Sequence, residues 1–441
     1  MKRTDTAGYA LSGASTEGAE HFETAAHELR CYINDPVATI DAALAAAPDM
    51  VMAHALKAYL YLLGTEPVGL PVAREIVAAA ARLPATARER GHLETARLLA
   101  EGRWREASRV IEDVAIEHPR DALALQVGHQ IDFFRGDSRM LRDRIARALP
   151  AWSGSIPGYH ALLGMHAFGL EETGDYAQAD KQGRKAVDLE RRDTWAWHAV
   201  AHVLEMRNQP REGIAWMTTD TNAWAKDSFL AVHNWWHLAV YHLELGANEE
   251  ALRLFDDCVF GTRSTIVLEM IDASALLWRL MLRGVDIGDR FAQVAHTWAP
   301  VAGAGNYAFN DMHAMMAFVG SSREKEQQQV LNAQQAAMES GLDNAMFTRD
   351  VGSPATRAIQ AFGQGRYAEC VELLRPIRHI AHRFGGSHAQ RDLLDLTLIE
   401  ASRRAGFDAL TTALIRERLA LRPRSPLAAL LDARVPLAKA A

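Results

Sequence analysis

Cysteine is scarce: Cys31, Cys258 and Cys370 are the only three in 441 residues. They are far apart and odd in number, which indicates neither a disulfide framework nor a cysteine-based zinc site. A run of about 18 apolar residues is also missing, since even AHALKAYLYLLG carries Lys57, and no membrane-spanning helix is expected. The first residues, MKRTDTAGYALSGASTEGAE, lack the apolar centre of a signal peptide, so the expected location is cytoplasmic. Positive charge is not concentrated anywhere. The formal net charge is -7, and the basic run Arg375, Arg378, His379, His382, Arg383 is short. A nucleic-acid partner is therefore not expected, because phosphate binding needs a dense cationic track. Alternating β-branched runs, a G-x-S-x-G elbow, an HExxH pair and dinucleotide or phosphate-binding glycine loops are all absent. Gly385-Gly386-Ser387 resembles an anion nest only weakly. Cys258 has no base beside it in sequence, and both it and Cys370 read as small apolar core residues.

What fills the chain instead is helical periodicity, from about Glu20 onward. Short punctuation interrupts it at Asn34-Asp35-Pro36, Gly64 to Pro71, Glu171 to Asp175 and Asn208 to Pro210. A repeat emerges from Tyr159, with Gly164 at a small-residue position, a turn at Gly174-Asp175-Tyr176, and Ala179 opening a second helix. Ala179 and Gly213 are 34 residues apart, the period of tetratricopeptide repeats. Weaker units surround Gly102, Gly365 and Gly406. A helical hairpin cannot bury its apolar face alone, so neighbours must stack. The expected fold is all-α, a right-handed α-solenoid or superhelix of tetratricopeptide-like hairpins. Residues 1–18 are expected to be a flexible segment, 19–430 one domain, and 431–441 a tail. The loop at Gly303 to Asn306 is the expected break between halves 19–302 and 303–430.

Residues 195–246 hold the strongest concentration of chemistry. His198 and His202 form one His-xxx-His pair, His233 and His237 another, and Glu205 follows His202 by three. Spacing of i and i+4 projects each pair from one helix face. In a tetratricopeptide register, the resemblance assigns Trp195, His202, His233 and His237 to the concave surface, with His198 turned toward helix packing.

Seven strings occur in order: MHAFGLEETGDYAQA, HAVAHVLEM, KDSFLAVHNWWHLAVYHLELG, FNDMHAMMA, RDVGSP, GGSHAQRDLLDLTLIEA and ERLALRPRSPL. Together they resemble the tetratricopeptide repeat protein 38 family, over about Leu11 to Leu427. HNWWH departs from the family pattern at Trp235, where tyrosine is expected. The resemblance implies the fold and no settled activity.

Three functions fit these residues. The first is recognition, and conversion if the site is catalytic, of a small polar or carboxylate-bearing molecule in a His-rich pocket. His233 and His237 would then do hydrolase or lyase acid–base chemistry. Trp195, His202, Asn310, His313 and Gln390 would line the pocket, and Arg391 would hold a carboxylate. The second is a divalent metal such as zinc on His198, His202, Glu205 and His237, with His233 as an alternative ligand. The third is a non-catalytic scaffold for a protein partner, the usual role of tetratricopeptide arrays. The long amphipathic surfaces are compatible with a homodimer.

Overall fold

The computed structural model describes residues 3–433. Contacts divide the chain into two compact units. Unit 1 comprises 1–200 and 220–231; unit 2 comprises 201–219 and 232–441. The loop at Gly303 to Asn306 lies inside unit 2, so it is not the divide expected from its composition. It is a short connection between packed helices.

In chain order the helices are α1 (Thr16–Cys31), α2 (Pro36–Ala46), α3 (Val51–Leu62), α4 (Gly69–Ala80), α5 (Ala87–Ala100), α6 (Trp104–Glu117), α7 (Ala122–Phe134), α8 (Ser138–Ala148), α9 (Tyr159–Glu172) and α10 (Tyr176–Leu189). They continue with α11 (Thr194–Met206), α12 (Pro210–Thr219), α13 (Thr221–Ala225), α14 (Ala231–Glu244), α15 (Asn248–Leu254), α16 (Val267–Leu282), α17 (Arg290–Trp298) and α18 (Ala308–Gly320). The last are α19 (Glu324–Glu339), α20 (Asp343–Phe347), α21 (Ser353–Gly363), α22 (Tyr367–Leu374), α23 (His388–Arg404), α24 (Asp408–Leu421) and α25 (Pro426–Ala433). The fold is all-α, as expected. Successive helices pack as hairpins, among them α1 with α2, α3 with α4, α5 with α6 and α9 with α10 in unit 1, and α21 with α22 and α23 with α24 in unit 2. No described helix is long and apolar enough to cross a membrane.

One turn recurs at the end of the first helix of successive hairpins. Gly102, Gly136 and Gly174 in unit 1 take positive φ, as do Asn208, Gly246, Gly284, Ser322, Gly365 and Gly406 in unit 2. At Gly174 the amide donates to the Glu171 carbonyl, and the Asp175 amide reaches back to Leu170 O. At Asn208 the amides of Asn208 and Gln209 repeat this on Glu205 O and Leu204 O. This is the Schellman arrangement, which satisfies carbonyls that a helix end leaves open. Side chains start the helices where composition allows. Thr86 and Glu89 form a capping box on α5, and Asp35 caps α2 ahead of Pro36 at the first turn.

The N-terminal segment differs from the flexible stretch expected. Arg3–Thr4 pairs antiparallel with Ala10–Leu11, and Asp5 Oδ1 accepts from the Ala7 and Tyr9 amides. Ser12 donates to Glu89, and the Arg120 amide donates to Tyr9 Oη, so the segment is tied to unit 1 by polar contacts. Small polar residues here serve turn chemistry, which composition alone does not distinguish from disorder. Of the expected tail, 431–433 belong to α25 and the remainder lies outside the described residues.

The repeat period has a packing reason at Gly213. A Cβ there would run into the Tyr241 ring. At Gly174 a Cβ would meet nothing, and only the φ of +87° favours glycine. Gly213→Ala should therefore cost about 1–3 kcal/mol by overpacking. Gly174→Ala should cost about 1–2 kcal/mol by backbone strain, and Gly174→Asn less, because asparagine tolerates the left-handed region. Denaturant titration separates the cases; equal stability of Gly213→Ala and wild type would show that the Tyr241 ring yields freely.

Asp311 on α18 is buried, and burial pushes its carboxyl up to about 7, against a smaller opposing effect from Gln334. The folded state therefore holds this proton more tightly than the unfolded chain. The resulting stability is fully present below about pH 4 and is lost as pH rises through about 7. Asp311→Asn should match wild type in acid and exceed it at pH 8, by about 1–3 kcal/mol. A melting temperature at pH 8 no higher than wild type would count against this.

Candidate functional site

Unit 2 brings three of the sequence-selected histidines together. His202 comes from the end of α11, and His233 and His237 come from one face of α14, four residues apart. One ring nitrogen from each lies within 4.8 Å of the others. Ring centroids of His202 and His237 are 4.4 Å apart, and those of His233 and His237 are 4.8 Å apart. His202 and His237 are fully buried, whereas the His233 side chain keeps 17% of its exposure.

Carboxylates back two of the rings. His233 Nδ1 lies 3.0 Å from both oxygens of Asp272 on α16. His237 Nδ1 is 3.4 Å from Glu205 Oε2. At His233 the carboxylate hydrogen-bonded to Nδ1 fixes tautomer and ring orientation and leaves ligation to Nε2, the other ring nitrogen. Trp236 stacks on His233 with rings 5.5 Å apart and 8° from parallel. Burial, the largest cause for both, holds His202 and His237 well below the usual imidazole range. Both are therefore neutral near pH 7, the form in which imidazole binds metals.

Arg279 on α16 sits beside this group. Its guanidinium lies 5.7 Å from the centre of the Trp236 ring, donates to Ala389 O at 2.6 Å and reaches Asp392 at 3.5 Å. Asp392 also takes Arg418 at 2.6 Å and Arg422 at 3.8 Å. Burial alone would raise the Asp392 carboxyl, but Arg418 and Arg422 outweigh it and hold it far below the usual carboxylate range. Glu205, Arg279, Asp392 and Arg422 line a cavity of about 20 Å³. That is room for a water, since one probe sphere needs about 10–15 Å³, and far below the several hundred Å³ of organic-ligand pockets.

Of the other sequence-selected residues, Trp195 and His198 fall within unit 1, in an aromatic cluster. Trp195 stacks on Tyr32 at 5.4 Å, and His198 stacks on Phe168 at 5.6 Å. His198 is buried. Asn310 and His313 are buried on α18, and His313 Nδ1 lies 2.8 Å from Phe309 O, inside its own helix. Burial pushes His313 down to about 4. Gln390 is a capping residue: Ser387 N donates to its Oε1 at 3.0 Å, and Ser387 Oγ accepts from Gln390 N. Arg391 donates to the carbonyl of Gly386 in its own loop and approaches His388 Nδ1 at 3.4 Å. Cys370 is buried as expected, whereas Cys258 is only partly so.

Asp272 and Arg279 were not selected from sequence. The available signal was an aspartate and an arginine inside the apolar run VLEMIDASALLWRLML, since buried charges require partners.

No family model matches the chain. Among solved structures, it is similar to the APC/C hetero-tetramer Cut9-Hcn1 at 14% identity and TM-score 0.39, covering 95% of this chain and 83% of that one. An IFIT1 monomeric mutant with Gppp-AAAA gives 14% and 0.39, covering 96% of each chain. The P58(IPK) TPR domain gives 14% and 0.20, covering 89% and 99%. At these scores the likenesses assign neither activity nor partner, and the all-α hairpin architecture rests on the chain's own helices.

Proposed function

We propose that His202, His233 and His237 hold a divalent ion of the zinc class, in a tetratricopeptide-like protein of the protein 38 kind. The supporting observation is the convergence of three imidazoles with ligand nitrogens within 4.8 Å of one another, one of them oriented by Asp272. Metal–nitrogen bonds of about 2.0–2.1 Å place tetrahedral ligand atoms about 3.4 Å apart, so ring movements of about 1 Å complete the set. Three imidazole nitrogens supply most of a tetrahedral zinc set. On this reading His233 and His237 are ligands rather than acid–base groups.

The test is metal analysis of the full chain after zinc loading and exhaustive dialysis. His202→Gln combined with His237→Gln should lose about one equivalent relative to wild type. Asp272→Asn keeps all three ligands and should weaken zinc binding roughly 10–100-fold. Identical zinc content and affinity in folded wild type and variants would overturn the assignment and leave the protein-interaction scaffold as the reading.

A further inference from the structure

A second group of metal-ligating side chains lies wholly in unit 1. His27 and Cys31 occupy the last turns of α1 at i and i+4, and His160 opens α9. One ligand atom from each lies within 4.8 Å of the others. Cys31 Sγ is 3.8 Å from His27 Nδ1, and the His27 and His160 ring centroids are 6.1 Å apart. His160 Nδ1 is held 2.7 Å from Asp193 Oδ2, so Nε2 is its ligand nitrogen. The backbone is fixed on both sides. Thr194 Oγ1 donates to Cys31 O at 2.7 Å, and Gly158, at φ +87°, turns the chain into α9.

We propose that His27, Cys31 and His160 form a site for a zinc-class divalent cation, with Asp193 orienting His160. One thiolate and two imidazoles are a borderline-soft set that suits zinc and cobalt rather than magnesium or calcium. The rival reading is a Cys-His-Asp nucleophile. It fits poorly, because Cys31 is fully buried, and burial together with Asp193 and Glu190 raises its thiol far above the usual range. The nearby Arg30 and Arg192 oppose this less strongly. A divalent cation reverses that balance. The Cys31 thiol loses its proton to solvent, the sulfur lone pair binds the ion, and the net negative field of Asp193 and Glu190 becomes favourable. His27 is half-buried, the least enclosed of the three. The ion would clamp the end of α1 to the start of α9. This site is independent of the three-histidine group, which contains no sulfur.

Cobalt(II) titration of the reduced, metal-free full chain tests it, because thiolate-to-cobalt charge transfer absorbs in the near ultraviolet and imidazole ligation does not. The band should appear in wild type and in the His202→Gln/His237→Gln variant, and vanish in Cys31→Ser. His27→Gln, at the half-buried ligand, should keep the fold and weaken the cobalt affinity read from this band at least 10-fold. Absence of the band in wild type, its persistence in Cys31→Ser, or unchanged affinity in folded His27→Gln would each overturn the proposal. Loss of the unit 2 metal with retention of this band would leave the present site standing alone.

Discussion

The left-handed residue that ends the first helix of each hairpin is the constraint on which the architecture rests. A helix terminus leaves its last carbonyls without intrahelical donors, and water cannot serve them where another helix packs close. One residue at positive φ bends two amides back onto those carbonyls and delivers the chain into the next helix. Because the device is local, it sets where every second helix begins and which residues face its partner. Gly174 and Asn208 stand 34 residues apart in this role, and the small residues Ala179 and Gly213 follow each at the same interval of five. Period and packing are thus two expressions of one turn.

Much of this was legible in the sequence, because turn residues and helical periodicity are local signals. Gly174, Gly365, Gly406 and the Asn208 to Pro210 break were read directly, as was the common face of His233 and His237. The division into units was not, since it depends on contacts far apart in sequence. The partners of the histidines were hidden for the same reason. Asp272 lies 39 residues beyond His233 and has no fixed offset from it. Gln390 and Arg391 also make local contacts that residue type and spacing did not disclose, a cap at Gln390 and a loop carbonyl at Arg391. The approach of His160 on α9 to Cys31 and His27 was likewise invisible in sequence, because it joins segments far apart in the chain.

Two buried carboxylates of unit 2 show how context decides charge. At Asp311 in α18 burial dominates, with only Gln334 working against it. Asp392 is buried as deeply but is surrounded by Arg279, Arg418 and Arg422, and stays ionised far into acid. The first is a titrating liability in the core; the second joins α16, α23 and the end of α24 by charge. The same arginines adjoin Glu205 and Trp236, so the histidine group is set beside a rigid, strongly ionic wall.

That wall carries a consequence for the order in which the protein is made. Arg279 emerges from the ribosome more than a hundred residues before Asp392, and Arg418 and Arg422 follow later still. Until then α16 has a buried guanidinium without Asp392, the stronger of its two acidic partners, which disfavours docking of that helix. Unit 2 therefore closes late during synthesis, when its C-terminal hairpin arrives, while unit 1, drawn mostly from the first 200 residues, can consolidate ahead of it.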